Sequence, residues 1–225
     1  MRHFLLGAVL AATTLPMTQA QAVSPSPDGS PSARTVQTAA AVHDDKLHTL
    51  DSALRDLWIG HVYWVRNVVT ARLAGDTDAE SAAEQQVVAN AKAIAGAFEP
   101  FYGAAVKDKL FSLLAGHYGA VKDYLGAAIA KDASGQSGAT EKLLANAKEI
   151  AGFLHGANPN LPAEVVEGLL QAHGGHHIAQ IQELQRKDFA AEAKTWTDMT
   201  QHMYVIADAL GGAVAKQFPD KFAAR

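Results

Sequence analysis

The chain contains no cysteine. Disulfide staples, thiol catalysis, thiolate metal sites and a lipid anchor on a lipobox thiol are thereby excluded, and any metal ligand must come from His, Asp, Glu or Asn. Long apolar runs are also lacking. The run from Phe4 to Leu15 is too short for a bilayer core of ~30 Å, and no later segment approaches the ~20 apolar residues of a spanning helix. Positive charge is not in excess, with 19 Lys and Arg against 23 Asp and Glu, which argues against nucleic acid or an anionic membrane as partner. There is no nucleophile elbow, no phosphate loop and no CxxCH haem-attachment motif, so hydrolase, kinase and covalent-haem chemistry have no visible support.

The first residues read as an address. Met1-Arg2-His3 is a short basic start, the apolar run follows, and Thr18-Gln19-Ala20-Gln21-Ala22 offers small residues for cleavage, so residues 1–22 are expected to be an export signal. Its loss removes Arg2 and leaves 18 basic against 23 acidic side chains, a net charge of −5. The destination would be the periplasm or the extracellular medium, without membrane insertion. Residues 23–42, rich in Ser, Pro and Ala, read as a flexible linker. Residues 43–225 then form a single domain of sufficient length to bury a core.

Within that domain one unit recurs every 56 residues without a gap. His61, His117 and His173 fall in register, as do Asn90, Asn146 and His202, Asp76, Asp132 and Asp188, and Leu57, Leu113 and Leu169. The repeats span about 57–112, 113–168 and 169–224, a period that marks repeat architecture. Good helix formers dominate and apolar residues recur at three and four. The expected fold is therefore an all-α bundle of six helices in three tandem antiparallel hairpins. The first helix is expected from about Asp44 to Leu73, and Ala74-Gly75-Asp76 stops it. Thr77 and Glu80 suggest a capping box for the second. Lys131-Asp132 and Lys187-Asp188 mark the other hairpin turns. Breaks between units are expected around Pro100 and at Asn158-Pro159-Asn160-Leu161-Pro162, with Pro162 opening a helix. Gly174 and Gly175 suggest a kink or a close helix approach.

Each repeated polar pair is equidistant from its turn, so His61 is expected to face Asn90, His117 to face Asn146, and His173 to face His202. All six would form a polar layer across the core. In one reading this layer is structural, with each Asn satisfying a buried imidazole and fixing register. In the other, several imidazoles at one level bind a transition metal such as Zn, Cu or Fe. The third hairpin favours metal: His177 follows His173 by one turn, and Asp198 stands one turn before His202, which makes His173, His177, Asp198 and His202 two adjacent rungs. The candidate ligands are His61, His117, His173, His177, Asp198 and His202, with Asn90 and Asn146 in the layer. Metal binding would then be coupled to proton release from these imidazoles. Di-iron carboxylate chemistry is disfavoured because no pair of Glu-x-x-His motifs faces inward. The five-histidine core of hemerythrin-like proteins does not match in spacing, since the aspartate after His202 comes six residues on, at Asp208. A haem held by His with Met199 or Met203 is a further alternative. Trp58, Trp64 and Trp196 read as packing residues.

The string Leu57-Trp58-Ile59-Gly60-His61-Val62-Tyr63-Trp64-Val65-Arg66-Asn67, the segment Ala157-Asn158-Pro159-Asn160, and Ala207-Asp208-Ala209-Leu210 with the ending Lys216-Gln217-Phe218-Pro219-Asp220-Lys221-Phe222 resemble a group of uncharacterised bacterial all-helical proteins. The resemblance covers nearly the whole domain. It implies a shared helical architecture and no established activity. It further implies histidine at the positions of 61, 117, 173 and 202, and threonine at those of 176 and 177. Two functions follow as expectations: an exported protein that binds a transition metal through its histidine layer, or a structural or interaction module whose protein partner the sequence does not name. No catalytic motif assigns an enzyme activity.

Overall fold

The computed structural model describes the backbone over residues 33–223 and the side chains over 46–223. The expected export signal and the first part of the linker lie outside the described residues. Among the described residues all regular structure is helical: α1 (Ala33–Ala74), α2 (Thr77–Tyr102), α3 (Ala104–Ala130), α4 (Ala133–Ala157), α5 (Ala163–Arg186), α6 (Phe189–Gln217) and the single turn α7 (Pro219–Phe222). Helix α1 starts well before Asp44. Ala33, Ala39, Ala40 and Ala41 are strong helix formers, and no proline interrupts the chain after Pro31 until Pro100.

The three hairpin turns use one solution. A residue in the left-handed region ends the first helix, at Gly75 (φ 74), Lys131 (φ 56) and Lys187 (φ 60). An aspartate then caps the second helix, with Asp76 accepting from Ala79 N, Asp132 from Gly135 N and Asp188 from Ala191 N. The capping box expected at Thr77 does not form, because the preceding carboxylate already takes the cap and favours the positive end of the helix dipole. Glu80 pairs instead with Arg72 at 2.8 Å.

The breaks between units fall slightly beyond their expected places. Pro100 sits inside the last turn of α2, which runs on to Tyr102 and ends at Gly103 (φ 81). Pro162 is the cap of α5 rather than its first residue. The Gly174-Gly175 pair neither breaks α5 nor brings a neighbour close: a Cβ at Gly174 would meet only Leu143 at 3.9 Å, and one at Gly175 nothing within 4 Å.

Successive helices pack on one another, and α6 packs along α1, so the hairpins form a closed ring rather than an open row. Helix α5 also reaches α1 and α3 across the interior. Bidentate ion pairs stitch the closing seam, Arg55 with Asp208 and Arg66 with Glu192. Where the units join, Asn158 donates to the Tyr102 hydroxyl, which donates to Gln217, which donates to the Ala157 carbonyl. Phe222 on α7 is buried and stacks on Phe101.

The buried apolar side chains form two clusters. Leu54, Trp58 and Val62 of α1 belong to one, with Leu110, Leu113 and Leu114 of α3 and Val166 and Leu170 of α5. Val65, Val68 and Val69, Ala120, Val121, Tyr124 and Leu125, and Ile181 and Leu184 belong to the other, nearer the turns. On each of these helices histidine stands where the two sets meet: His61 on α1, His117 on α3, and His173 and His177 on α5.

Candidate metal centre

The junction between the clusters is made of imidazoles. His61 from α1, His117 from α3, and His173 and His177 from α5 are all buried, the last two at 1% exposure. Their positions follow from helical period: His61 is one turn beyond Trp58 and Leu57, and His117 one turn beyond Leu113 and Leu114, so each continues an apolar stripe inward. On α5 the stripe Val166, Leu170, His173, His177, Gln180, Ile181 and Leu184 turns polar for two turns.

His61, His173 and His177 each offer a ring nitrogen, and those three atoms lie within 4.8 Å of one another. Nε2 of His173 and Nε2 of His177 are 3.2 Å apart. Imidazoles on one tetrahedral ion, with metal–nitrogen bonds of about 2.0–2.1 Å, have nitrogens about 3.3 Å apart. The ring centroids of His61 lie 5.5 Å from His173 and 5.7 Å from His177. This trio can hold a metal ion. His117 stacks on His173 at 5.5 Å with an interplanar angle of 14°, and Trp58 meets both His61 and His173 edge-on.

The hydrogen bonds around His117 fix its tautomer. Asn146 donates through Nδ2 to the Leu113 carbonyl at 3.1 Å, so its Oδ1 is an acceptor. That oxygen is 3.1 Å from His117 Nδ1, which therefore carries the hydrogen and donates. Nε2 is left as a lone pair, buried and without a partner. An imidazole oriented through one nitrogen with the other bare is how metal-binding histidines are held.

Burial, reinforced by His117, pushes the His61 imidazole down to about 3. Burial pushes His117 down to about 4, against the opposing bond from Asn146. His173 and His177 are held well below the usual range, first by burial and then by neighbouring imidazoles. All four are thus neutral near pH 7, the form that binds metal. Because these imidazoles are neutral near pH 7, little of the proton release expected on metal binding would fall at that pH.

The other expected residues take different places. Asn90, Asn146 and His202 flank the buried stripe and are only part-buried. Each donates to the backbone carbonyl 33 residues earlier, at Leu57, Leu113 and Leu169 respectively. Gly60 and Gly116 make room for the two asparagines, because a Cβ there would sit 3.0 and 3.3 Å from Nδ2. His117 and Asn146 face each other as expected. His61 and Asn90 do not bond, and His61 Nδ1 and Asn90 Oδ1 are buried without partners. His202 turns away from the trio toward His176, their rings 5.5 Å apart. The inner stripe of α6 instead runs through Met199 and Met203, both fully buried. For the same reason Asp198, a turn before His202, faces outward and pairs with Lys194 at 2.5 Å. The two-rung site of His173, His177, Asp198 and His202 is not assembled.

Sequence reasoning passed over Gln180 and Glu192. Glu192 is buried and accepts from Arg66 at 2.6 and 3.0 Å and from Gln180 at 3.0 Å. The Arg66 bonds hold its carboxyl below the usual range. The signal was present, because Gln180 and Glu192 stand 56 residues after Tyr124 and Gln136, which are themselves hydrogen-bonded across the second turn.

No helix among the described residues is long and apolar enough to cross a membrane. Comparison of the chain with family models, with curated proteins and with solved structures gives no match.

Proposed function

We propose that this chain is an exported transition-metal-binding protein, which holds one ion in the bundle core through His61, His173 and His177, with His117 beside them as a fourth nitrogen ligand. The observation that carries this reading is the buried trio, whose ring nitrogens lie within 4.8 Å of one another with no carboxylate among them. An all-nitrogen, thiol-free donor set suits Zn, Cu or Fe and is a poor match for Mg or Ca. Packing fixes the rings: Trp58 wedges His61 and His173, His177 stands against His173, and Asn146 orients His117, so the site would be organised before the ion arrives. The pattern of residues 1–22 supports export.

A structural role for part of the layer has its own support. The three side-chain bonds to the carbonyls of Leu57, Leu113 and Leu169 set helix register in every hairpin. That role belongs to residues 90, 146 and 202. It leaves the buried lone pair of His117 unexplained, while the 3.2 Å contact of His173 with His177 is a ring-to-ring hydrogen bond whose place an ion would take.

The test is elemental analysis of the untagged chain, purified from its native compartment without chelators, beside His61→Gln and His177→Gln variants. A near-stoichiometric transition metal in the wild type, lost from variants that keep their helical circular dichroism, is expected. No transition metal in the wild type, and none taken up on reconstitution, would overturn the reading.

A further inference from the structure

The third hairpin differs from the other two on its outer side. His202 makes the same bond to a backbone carbonyl that Asn90 and Asn146 make, through Nε2 to Leu169 at 2.8 Å. That bond requires only one N–H, and asparagine provides it twice in this molecule. With the hydrogen on Nε2, the neutral ring of His202 keeps Nδ1 as a lone pair, which asparagine would not supply.

A second imidazole has arrived at the same place. The residue three beyond the repeated histidine is Trp64 in the first unit, Ala120 in the second and His176 in the third. The His176 ring lies 5.5 Å from that of His202. Two imidazoles bound to one tetrahedral ion at about 2.0–2.1 Å have their centroids about 5 Å apart. Both residues are part-buried, so solvent reaches the pair. Asp198 is on the exposed face of α6, one turn before His202. His176 is held below its usual range by burial and then by His202, while Asp198 acts in the opposite sense and Lys194 in the same sense as His202, so all these groups act on its ring.

We propose that His176 and His202 form a second, solvent-facing two-histidine site for a divalent transition-metal ion such as Zn²⁺, with water completing its coordination. The site is separate from the core trio and does not depend on it. Binding leaves the Leu169 bond in place, because that bond uses the other nitrogen of His202.

The experiment is equilibrium dialysis of the chelator-treated full chain against Zn²⁺, with bound metal counted per chain. Three variants accompany the wild type: His176→Ala, His202→Asn, and His202→Asn combined with Ala172→Gly. The combined variant restores the glycine and asparagine pairing of the first two hairpins, so the register bond survives and loss of metal cannot be ascribed to loss of fold. Thermal melts confirm that. The expected result is two equivalents in the wild type and one in each variant. One equivalent in the wild type and none in the variants would support the outer site while the core reading fails. Variants that bind as much Zn²⁺ as the wild type would overturn the outer site, as would a wild type that binds none.

Discussion

Four imidazoles buried in neutral form should make the metal-free protein sensitive to acid in a window where carboxylates are silent. The unfolded chain protonates each histidine near its ordinary value of about 6.5. In the folded chain His61 takes its proton only near about 3 and His117 near about 4. Between those limits the unfolded state binds more protons, so stability falls as the pH falls. From pH 7.5 to pH 5 each of these two groups costs about 2 kcal/mol of folding free energy, or about 4 kcal/mol together. His173 and His177 shift in the same direction and add to the loss. Against a total stability of about 5–15 kcal/mol this is a large fraction. Glu84 and Glu192 are also held below their usual range, but an unfolded glutamate titrates at about 4.3, so their contribution is lost only below pH 5. The assay is urea unfolding of chelator-treated protein by circular dichroism at several pH values from 7.5 to 5. With a slope of about 2 kcal/mol per molar, the midpoint should drop by about 2 M or more. An unfolding free energy at pH 5 within about 1 kcal/mol of that at pH 7.5 would refute the reasoning.

The repeat supplies internal controls for three more predictions. Asn146→Ala removes a bond to the Leu113 carbonyl and the acceptor for His117, whereas Asn90→Ala removes only the bond to Leu57. The first should cost about 2 kcal/mol in denaturant unfolding and the second about 1. Gly75→Ala places a side chain at φ 74 with open space around it, and so should lower stability by about 1 kcal/mol through the backbone alone. Lys131→Gly, which relieves φ 56, should be neutral or stabilising in the same thermal melt. If the core holds an ion, metal at a hundredfold excess over its dissociation constant stabilises by about 2.7 kcal/mol, so chelation should lower the melting temperature by roughly 7 °C. Calorimetric binding near pH 7 should release almost no protons from the histidines when repeated in buffers of different ionisation enthalpy.

The all-α class, the hairpins and their turns were legible because they depend on local chemistry. The 56-residue register, helical period and the Gly75-Asp76, Lys131-Asp132 and Lys187-Asp188 turns act within a few residues of themselves. Burial of His61, His117, His173 and His177 was also legible, since each continues an apolar stripe. The positions of His202 and Asp198 were not. Equal distance from a turn fixes height along a hairpin but not rotation about a helix axis. The choice between Met199-Met203 and Asp198-His202 as the inner face of α6 was made by packing against α1 in the closed ring.

The sequence by itself thus determined three copies of a helical hairpin and the inward stripes that carry His61, His117, His173 and His177, because periodicity and turn chemistry are local; it did not exclude His202 from that layer. Only the tertiary structure decided that the hairpins close, that α5 crosses the interior to bring His173 and His177 against His61, and that Glu192 is buried on Arg66. Those contacts join residues more than a hundred positions apart, and their partners are selected by which faces remain to be covered once the hairpins have formed.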